Sequence, residues 1–246
     1  MKRINLKRRT FLIASVMAVA PLAACSSSAS RSSTTASGSG SASGPRTVLD
    51  QGGHQVQLPS NITRIAVTPL PWASVIWAVD GNSDRLVAMN PRSKQIYERS
   101  FLKNLDTKFG DINTSVINAD FSVNVEQLLK LKPDIAFLWN DQDSVRKQLL
   151  DVGITPIMLN YALNIDSLTK DVKLVGDVLG KSSRAQKFID TLKSSEKTPA
   201  SSSTASPTKT LYLRDPHLKV AAKQNVNTQL ILDGGGQNVA SGVKGQ

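Results

Sequence analysis

Between Arg64 and Leu159, short apolar runs alternate with stretches of helical periodicity, and this alternation limits the possible folds more than any other feature of the chain. Four runs have the length and composition of buried strands: Arg64-Ile-Ala-Val67, Arg85 to Met89, Ile135-Ala-Phe-Leu-Trp139 and Ile154 to Leu159. Ala73 to Val79 reads as an apolar helix ending at Asp80-Gly81. Asn124 is placed to cap a helix, with Gln127 three residues on as its capping-box partner. Val125, Leu128 and Leu129 give that helix its buried face, and Pro133 stops it. Val145, Leu149 and Val152 mark another amphipathic helix, closed by Gly153. Such a chain builds a mostly parallel sheet with helices on both faces. Ligands of these sheets lie outside the carboxyl ends of the strands. Those ends are Thr68 to Trp72, Asn90-Pro91-Arg92, Trp139-Asn140 and Asn160-Tyr161.

The pattern then changes. Ile165 to Ser195 is helical throughout, with a break allowed at Gly180-Lys181. Leu168, Val172 and Val175 line one face, and Phe188, Ile189 and Leu192 the next. Thr198 to Thr208 is a low-complexity loop. A second strand pattern opens at Thr210 (TLYL), with Leu218 to Ala222 as its hairpin partner. Asn225 to Leu232 reads as a helix ending at Asp233-Gly-Gly-Gly236. A few strands and one helix do not close a domain core, so the expectation is a second lobe that is incomplete.

The N-terminal 25 residues read as an export signal. Lys2, Arg3, Lys7, Arg8 and Arg9 form a basic region without acids. The apolar stretch Phe11 to Leu22 is too short to span a bilayer as a stable helix. It leads to Leu22-Ala23-Ala24-Cys25, which matches a lipobox, where the Cys25 thiol takes a diacylglycerol and the chain is cut just before it. Lys7-Arg8-Arg9-Thr10-Phe11-Leu12 fits a twin-arginine motif as well as an ordinary basic region, so both export routes stay open. Cys25 is the only cysteine, which excludes an intrachain disulfide framework. Ser26 to Gly44 holds only Ser, Gly, Ala, Thr and one Arg. A segment of that composition is expected to act as a flexible tether with a reach of roughly 25 Å.

Five of the eleven excess positive charges precede Cys25, which leaves +6 on the processed chain. That excess is mixed among Asp and Glu. It favours an anionic envelope surface and anionic solutes, and no aromatic-plus-basic platform for nucleic acid is present. With 40 % hydrophobic and 20 % charged residues the chain has the composition of an ordinary globular protein.

Asn124-Val-Glu-Gln-Leu-Leu-Lys-Leu-Lys-Pro-Asp-Ile-Ala-Phe-Leu-Trp139 resembles the helix-to-strand signature of the iron-siderophore and cobalamin substrate-binding proteins of ABC transporters. Three further segments resemble that family in the same order. They are Val56-Gln-Leu-Pro59 with Arg64 to Val67, Leu174 to Gly180 with Ala185 to Ile189, and Gly234-Gly-Gly-Gln-Asn-Val-Ala240. The resemblance covers Thr47 to about Ala240. It implies an α/β, two-lobed periplasmic-binding-protein fold of class III, with lobes joined by one long helix and the second lobe incomplete. The expected organisation is a lipoprotein signal peptide (1–25), a Ser/Gly-rich tether (26–44), an N-terminal α/β lobe (45–163), an interdomain helix (164–197) and the start of a C-terminal lobe (209–246). It further implies a monomer that docks through glutamates on an ABC permease with its ATPase, is held to the membrane by its lipid, and needs no cofactor. The first docking glutamate maps onto Glu126; the second falls in a segment this chain lacks.

Each candidate residue has a functional and an ordinary reading. Glu126 near a helix start also offsets the positive helix end. Trp72, Trp139 and Tyr161 sit at expected sheet mouths, where an aromatic face suits a planar catecholate, hydroxamate or corrin; plain loop-edge packing is the alternative. Arg92 and Arg214 are placed to meet an anionic ferric chelate, or are solvated surface residues, and Lys223 is a weaker candidate. His54 and His217 are the only histidines, and neither has a helical-spacing partner that would build a bare-metal site. His54 falls in a turn and is expected to be exposed. The Gly234 to Gly236 run follows a helix and lacks the Lys-Ser/Thr of a phosphate loop, so it reads as a helix cap and turn. No catalytic constellation is present. The expected function is capture of a ferric-siderophore-like chelate for an ABC importer, with cobalamin, haem or an oxyanion as other ligands of the same fold. An adhesin, or a fragment that binds nothing, is the competing class.

Overall fold

Side chains leave a strand on alternate faces, and the four central strands use this to bury both faces of one sheet. These are β3 (Ile65–Val67), β4 (Leu86–Met89), β5 (Ile135–Trp139) and β6 (Thr155–Leu159), all parallel, in the order β4-β3-β5-β6. They follow β1 (Thr47–Leu49) and β2 (Gln55–Gln57), an antiparallel hairpin. The computed structural model describes residues 46–118, 122–161, 164–195, 206–213, 219–223 and 225–243. The signal, the Cys25 lipobox, the tether, Arg214 and His217 lie outside the described residues.

Ile65, Val67, Ile135, Phe137, Ile157 and Leu159 point to one face, packing with α1 (Trp72–Asp80), α5 (Ile165–Leu179) and α6 (Ser182–Ser195). Ala66, Ala88, Ala136, Leu138 and Met158 point to the other, where Leu128 of α3 (Val125–Leu131) and Leu149 of α4 (Asp143–Asp151) cover them. The near-continuous apolar strands are therefore those of a sheet buried on both sides.

Helix ends follow their local chemistry. Asn124 Oδ1 accepts from the Gln127 amide at 3.1 Å, and Gly81 closes α1 in the left-handed region at φ 106°. Between β4 and α3 the chain forms α2 (Pro91–Arg99), then two 3₁₀ turns, Phe101–Asn104 and Thr107–Asp111. The Lys-Pro-Asp run also acquires a purpose. Pro133 follows the end of α3, and Asp134 Oδ2 accepts from the Thr63 amide, the Thr63 hydroxyl and the Arg64 amide at 2.7, 3.0 and 2.9 Å, pinning the start of β3 beside β5.

The stretch from Ile165 to Ser195 is two helices. α5 ends at Gly180, φ 67°, and α6 starts at Ser182, so the break allowed by sequence is present. The helices approach closely: a Cβ on Gly176 would collide with the Ala185 Cβ.

The C-terminal part has the strand-helix-strand order expected of an α/β unit. β7 (Lys209–Thr210) pairs in parallel with β8 (Gln237–Asn238), and α7 (Val226–Asp233) connects them. The expected TLYL strand ends after Thr210, because β7 has a neighbour over two residues only and Leu211, Tyr212 and Leu213 stay exposed. Of the hairpin with 218–222, the described residues show one antiparallel bridge, Leu213 opposite Val220.

Candidate functional site

β5 and β6 pair in register from Ile135 opposite Thr155 to Trp139 opposite Leu159, so the residues after them leave the sheet side by side. Trp139 and Tyr161 meet there as a stacked pair, with ring centroids 4.3 Å apart and planes 17° from parallel. Such stacking is worth about 0.5–1.5 kcal/mol beyond area burial. Tyr161 is about half exposed, and its hydroxyl donates to Asp141 Oδ2 at 3.1 Å. Burial, the adjacent Asp141 charge and this hydrogen bond push the phenol up to about 12, so it stays a neutral donor. Below the pair, the Asn140 side-chain amide donates to Asn160 Oδ1 at 2.6 Å, and Asn160 Nδ2 donates to Gln51 Oε1 at 2.9 Å. The two loops are thereby fixed to each other and to the β1–β2 hairpin.

Sequence reasoning missed the group beneath them. Asp171 on α5 is fully buried. Its Oδ1 faces the Asn160 amide at 3.4 Å, and its Oδ2 has no hydrogen-bonding partner among the described residues. Burial raises its pKa to about 7, against a small opposing effect of the Asn160 amide. The signal was available: Leu168, Asp171, Val175 and Val178 recur at helical spacing, which puts a carboxylate on the apolar stripe.

Arg92 is exposed in the first turn of α2, at the carboxyl end of β4. Asn90 sets that turn: its Oδ1 accepts from the Arg92 amide, and its Nδ2 donates to the Thr68 carbonyl, both at 3.0 Å. Because α3 leads directly into β5 and packs alongside the sheet, its first turn lies at the same carboxyl edge, and there Glu126 is exposed. Lys223 is exposed within the C-terminal part.

Trp72 corrects its expected role. It is 1 % exposed and packs in the core with Ala73, Ile76 and Val79, because α1 starts one residue earlier than its apolar pattern implied and takes the indole inward. It presents no ring to a ligand. His54 is also not free in its turn: Nδ1 lies 3.2 Å from the buried Asp50 Oδ1, and Nε2 lies 3.9 Å from Asp143 Oδ1. Among the described residues no three His, Cys, Asp or Glu side chains converge as a metal site. The structure thus gathers Trp139, Tyr161, Arg92 and Glu126 at one edge of the sheet and removes Trp72 from it.

Comparisons with known proteins agree with this architecture. A curated Bacillus subtilis (strain 168) protein named as an uncharacterized ABC transporter substrate-binding lipoprotein, YvrC, is 25 % identical over 192 residues, 76 % of this chain and 56 % of its own length. The crystal structure of a periplasmic solute binding protein from Veillonella parvula superposes with a TM-score of 0.70 at 34 % identity, covering 82 % of this chain and 62 % of that one. The molybdate-bound MolA of Haemophilus influenzae gives 0.65 at 20 % identity, covering 80 % and 67 % of the two chains. The periplasmic heme binding protein HutB of Vibrio cholerae gives 0.58 at 21 %, covering 73 % and 66 %. The last two share the fold. The chain thus spans a little over half the length of its curated relative. The profile of the family described as periplasmic binding protein matches residues 72–246. With a parallel sheet buried on both faces and a match over well over half its length, the chain belongs to the periplasmic binding protein family.

Proposed function

We propose that this chain is the lipid-anchored, extracytoplasmic solute-binding component of an ABC importer, and that it captures a ferric-siderophore-like chelate at the carboxyl edge of its sheet. The observation that carries the ligand reading is the stacked Trp139–Tyr161 pair, which offers a half-exposed aromatic plane at the carboxyl edge where Arg92, after β4 and on the far side of β3, is also exposed. An aromatic plane suits the flat face of a catecholate or hydroxamate chelate, and a guanidinium suits its negative charge. The lipid anchor is read from Leu-Ala-Ala-Cys25 and agrees with the lipoprotein naming of the Bacillus relative. Glu126 is the acidic group offered to the permease. No catalytic role is assigned.

A second reading has specific support. The fold is shared with proteins that carry molybdate and heme, and Arg92 serves an oxyanion as readily as an anionic chelate. Titration of tryptophan fluorescence separates the readings. Ferric catecholates and hydroxamates are expected to quench Trp139 saturably, with quenching lost in Trp139→Phe. Saturation by molybdate or heme alone would transfer the assignment to those ligands, and silence with every compound would remove the binding role.

A further inference from the structure

Three apolar side chains within ten residues face solvent on the segment after β4. Phe101 is 71 % exposed, Leu105 60 % and Ile96 49 %. Isolated exposed apolar residues are ordinary, but these are interleaved with cations. Residues 92–108 contain Arg92, Lys94, Arg99, Lys103 and Lys108 against two acids, Glu98 and Asp106. Asp106 is turned inward, where its carboxylate accepts from Trp77 Nε1 at 2.7 Å and the Ser83 amide at 2.9 Å, and Lys108 pairs with Asp84 at 2.7 Å. Arg99 and Lys103 stay exposed beside Phe101. The inner face of the same segment is well fixed, with Tyr97 stacked on Phe109 at 5.3 Å and both buried. The outer apolar residues are therefore displayed by a firm support.

Their position adds direction. The bonds from Asp106 to Trp77 and Ser83 hold this turn at the amino-terminal end of the sheet, where α1 finishes and β4 begins. The chain enters the lobe at that end too: Arg46 donates to the carbonyls of Asp177 and Val178 at the end of α5, at 3.1 and 3.4 Å. Arg46, the first described residue, thus lies on the side opposite Trp139, Tyr161 and Glu126.

We propose that the outer face of α2 and the following 3₁₀ turn is a membrane-resting surface, with Phe101 and Leu105 entering the headgroup region of an anionic bilayer and Arg99 and Lys103 meeting lipid phosphates. Apolar residues flanked by Lys and Arg are the composition that binds such an interface. The proposal rests on the reading of Cys25 as lipidated, and it gives the tethered lobe an orientation: the aromatic edge faces away from the membrane, open to solute, and the lobe tips over to present Glu126.

The test uses the full lipidated chain with Phe101→Trp, reconstituted in vesicles of phosphatidylglycerol and phosphatidylcholine or of phosphatidylcholine alone. Flotation reports the anchor, and quenching by lipids brominated near the headgroup reports the surface, with the parent chain as baseline for Trp72, Trp77 and Trp139. The expected result is quenching of the introduced indole in anionic vesicles only, reduced about fivefold by Arg99→Glu or Lys103→Glu. A chain that floats with no quenching above baseline overturns this proposal alone. A chain that does not float overturns the anchor and this proposal together. An emission change that follows protein density in the vesicle and ignores bromination assigns the patch to a second copy, and also overturns it.

Discussion

Asp134 and Asp171 are two carboxylates that the fold treats in opposite ways. Partial burial opposes ionisation of Asp134, but the Thr63 and Arg64 amides, the Thr63 hydroxyl and the Arg64 charge outweigh it and hold the group below the ordinary carboxylate range. Its contribution is present at neutral pH and lost as pH falls through that lowered value. Asp171 has only one long hydrogen bond and lies fully buried, so its pKa rises to about 7. The sign reverses. Below the unfolded value both states hold the proton and stability is full; as pH rises towards 7 the unfolded chain releases a proton that the folded chain keeps. Stability should then fall by up to about 1.4 kcal/mol per pH unit across that window. Asp171→Asn removes the ionisation and keeps the shape. Urea unfolding at pH 8 is expected to show the variant more stable by about 1–4 kcal/mol, with the difference closing near pH 4. A constant difference at both pH values would mean that Asp171 is not buried in its folded, protonated form.

At the scale of elements, the α5–α6 corner is the most exacting contact. Gly176 lets the helices close to a distance that leaves no room for a Cβ, since the atom it would meet, Ala185 Cβ, belongs to a buried residue at the start of α6. Gly176→Ala gains about 1 kcal/mol of helix propensity, but forces apart a packed pair at a cost of about 1–3 kcal/mol. Net destabilisation is the expected outcome, and Ala185→Gly should recover part of it in the double variant; denaturant midpoints measure both. Much of this level was legible. The strands at Ile65, Leu86, Ile135 and Thr155 were marked by apolar runs, and Asn124, Gly81 and Gly153 by their capping chemistry. α2 was overlooked although Asn90-Pro91 is a helix-opening pair, because its buried face is only Ser93 and Tyr97 and gives almost no apolar period. The length of β7 was overestimated for a different reason: Leu211, Tyr212 and Leu213 have strand composition, and composition does not reveal whether a neighbouring strand is there to pair with.

For the whole molecule, parallel topology is what turns scattered residues into one edge. Helices that precede or follow parallel strands begin and end at fixed sides of the sheet, so Arg92, Glu126, Trp139 and Tyr161, spread over seventy positions of sequence, come to the same side. Their grouping was readable from the strand order of such folds. Trp72 was misplaced because rotation about a helix axis decides inward or outward, and one residue of boundary error turns a side chain by about 100°. The grouping also separates the two proposed roles, docking and capture. Glu126 lies on α3, across the sheet from the α1–α5 face, whereas the Tyr161 hydroxyl is bonded to Asp141 and the two loops are joined by Asn140 and Asn160. Glu126→Arg should therefore leave ligand-induced quenching of Trp139 unchanged while abolishing stimulation of the permease-bound ATPase by the full-length lipidated chain. Reversing the charge also places a cation in the first turn of a helix, which costs about 0.3–1 kcal/mol, too little to unfold the lobe. ATPase stimulation equal to that of the parent chain would show that Glu126 does no more than offset the helix end. Parallel loss of quenching and stimulation would show that docking and capture share residues at this edge.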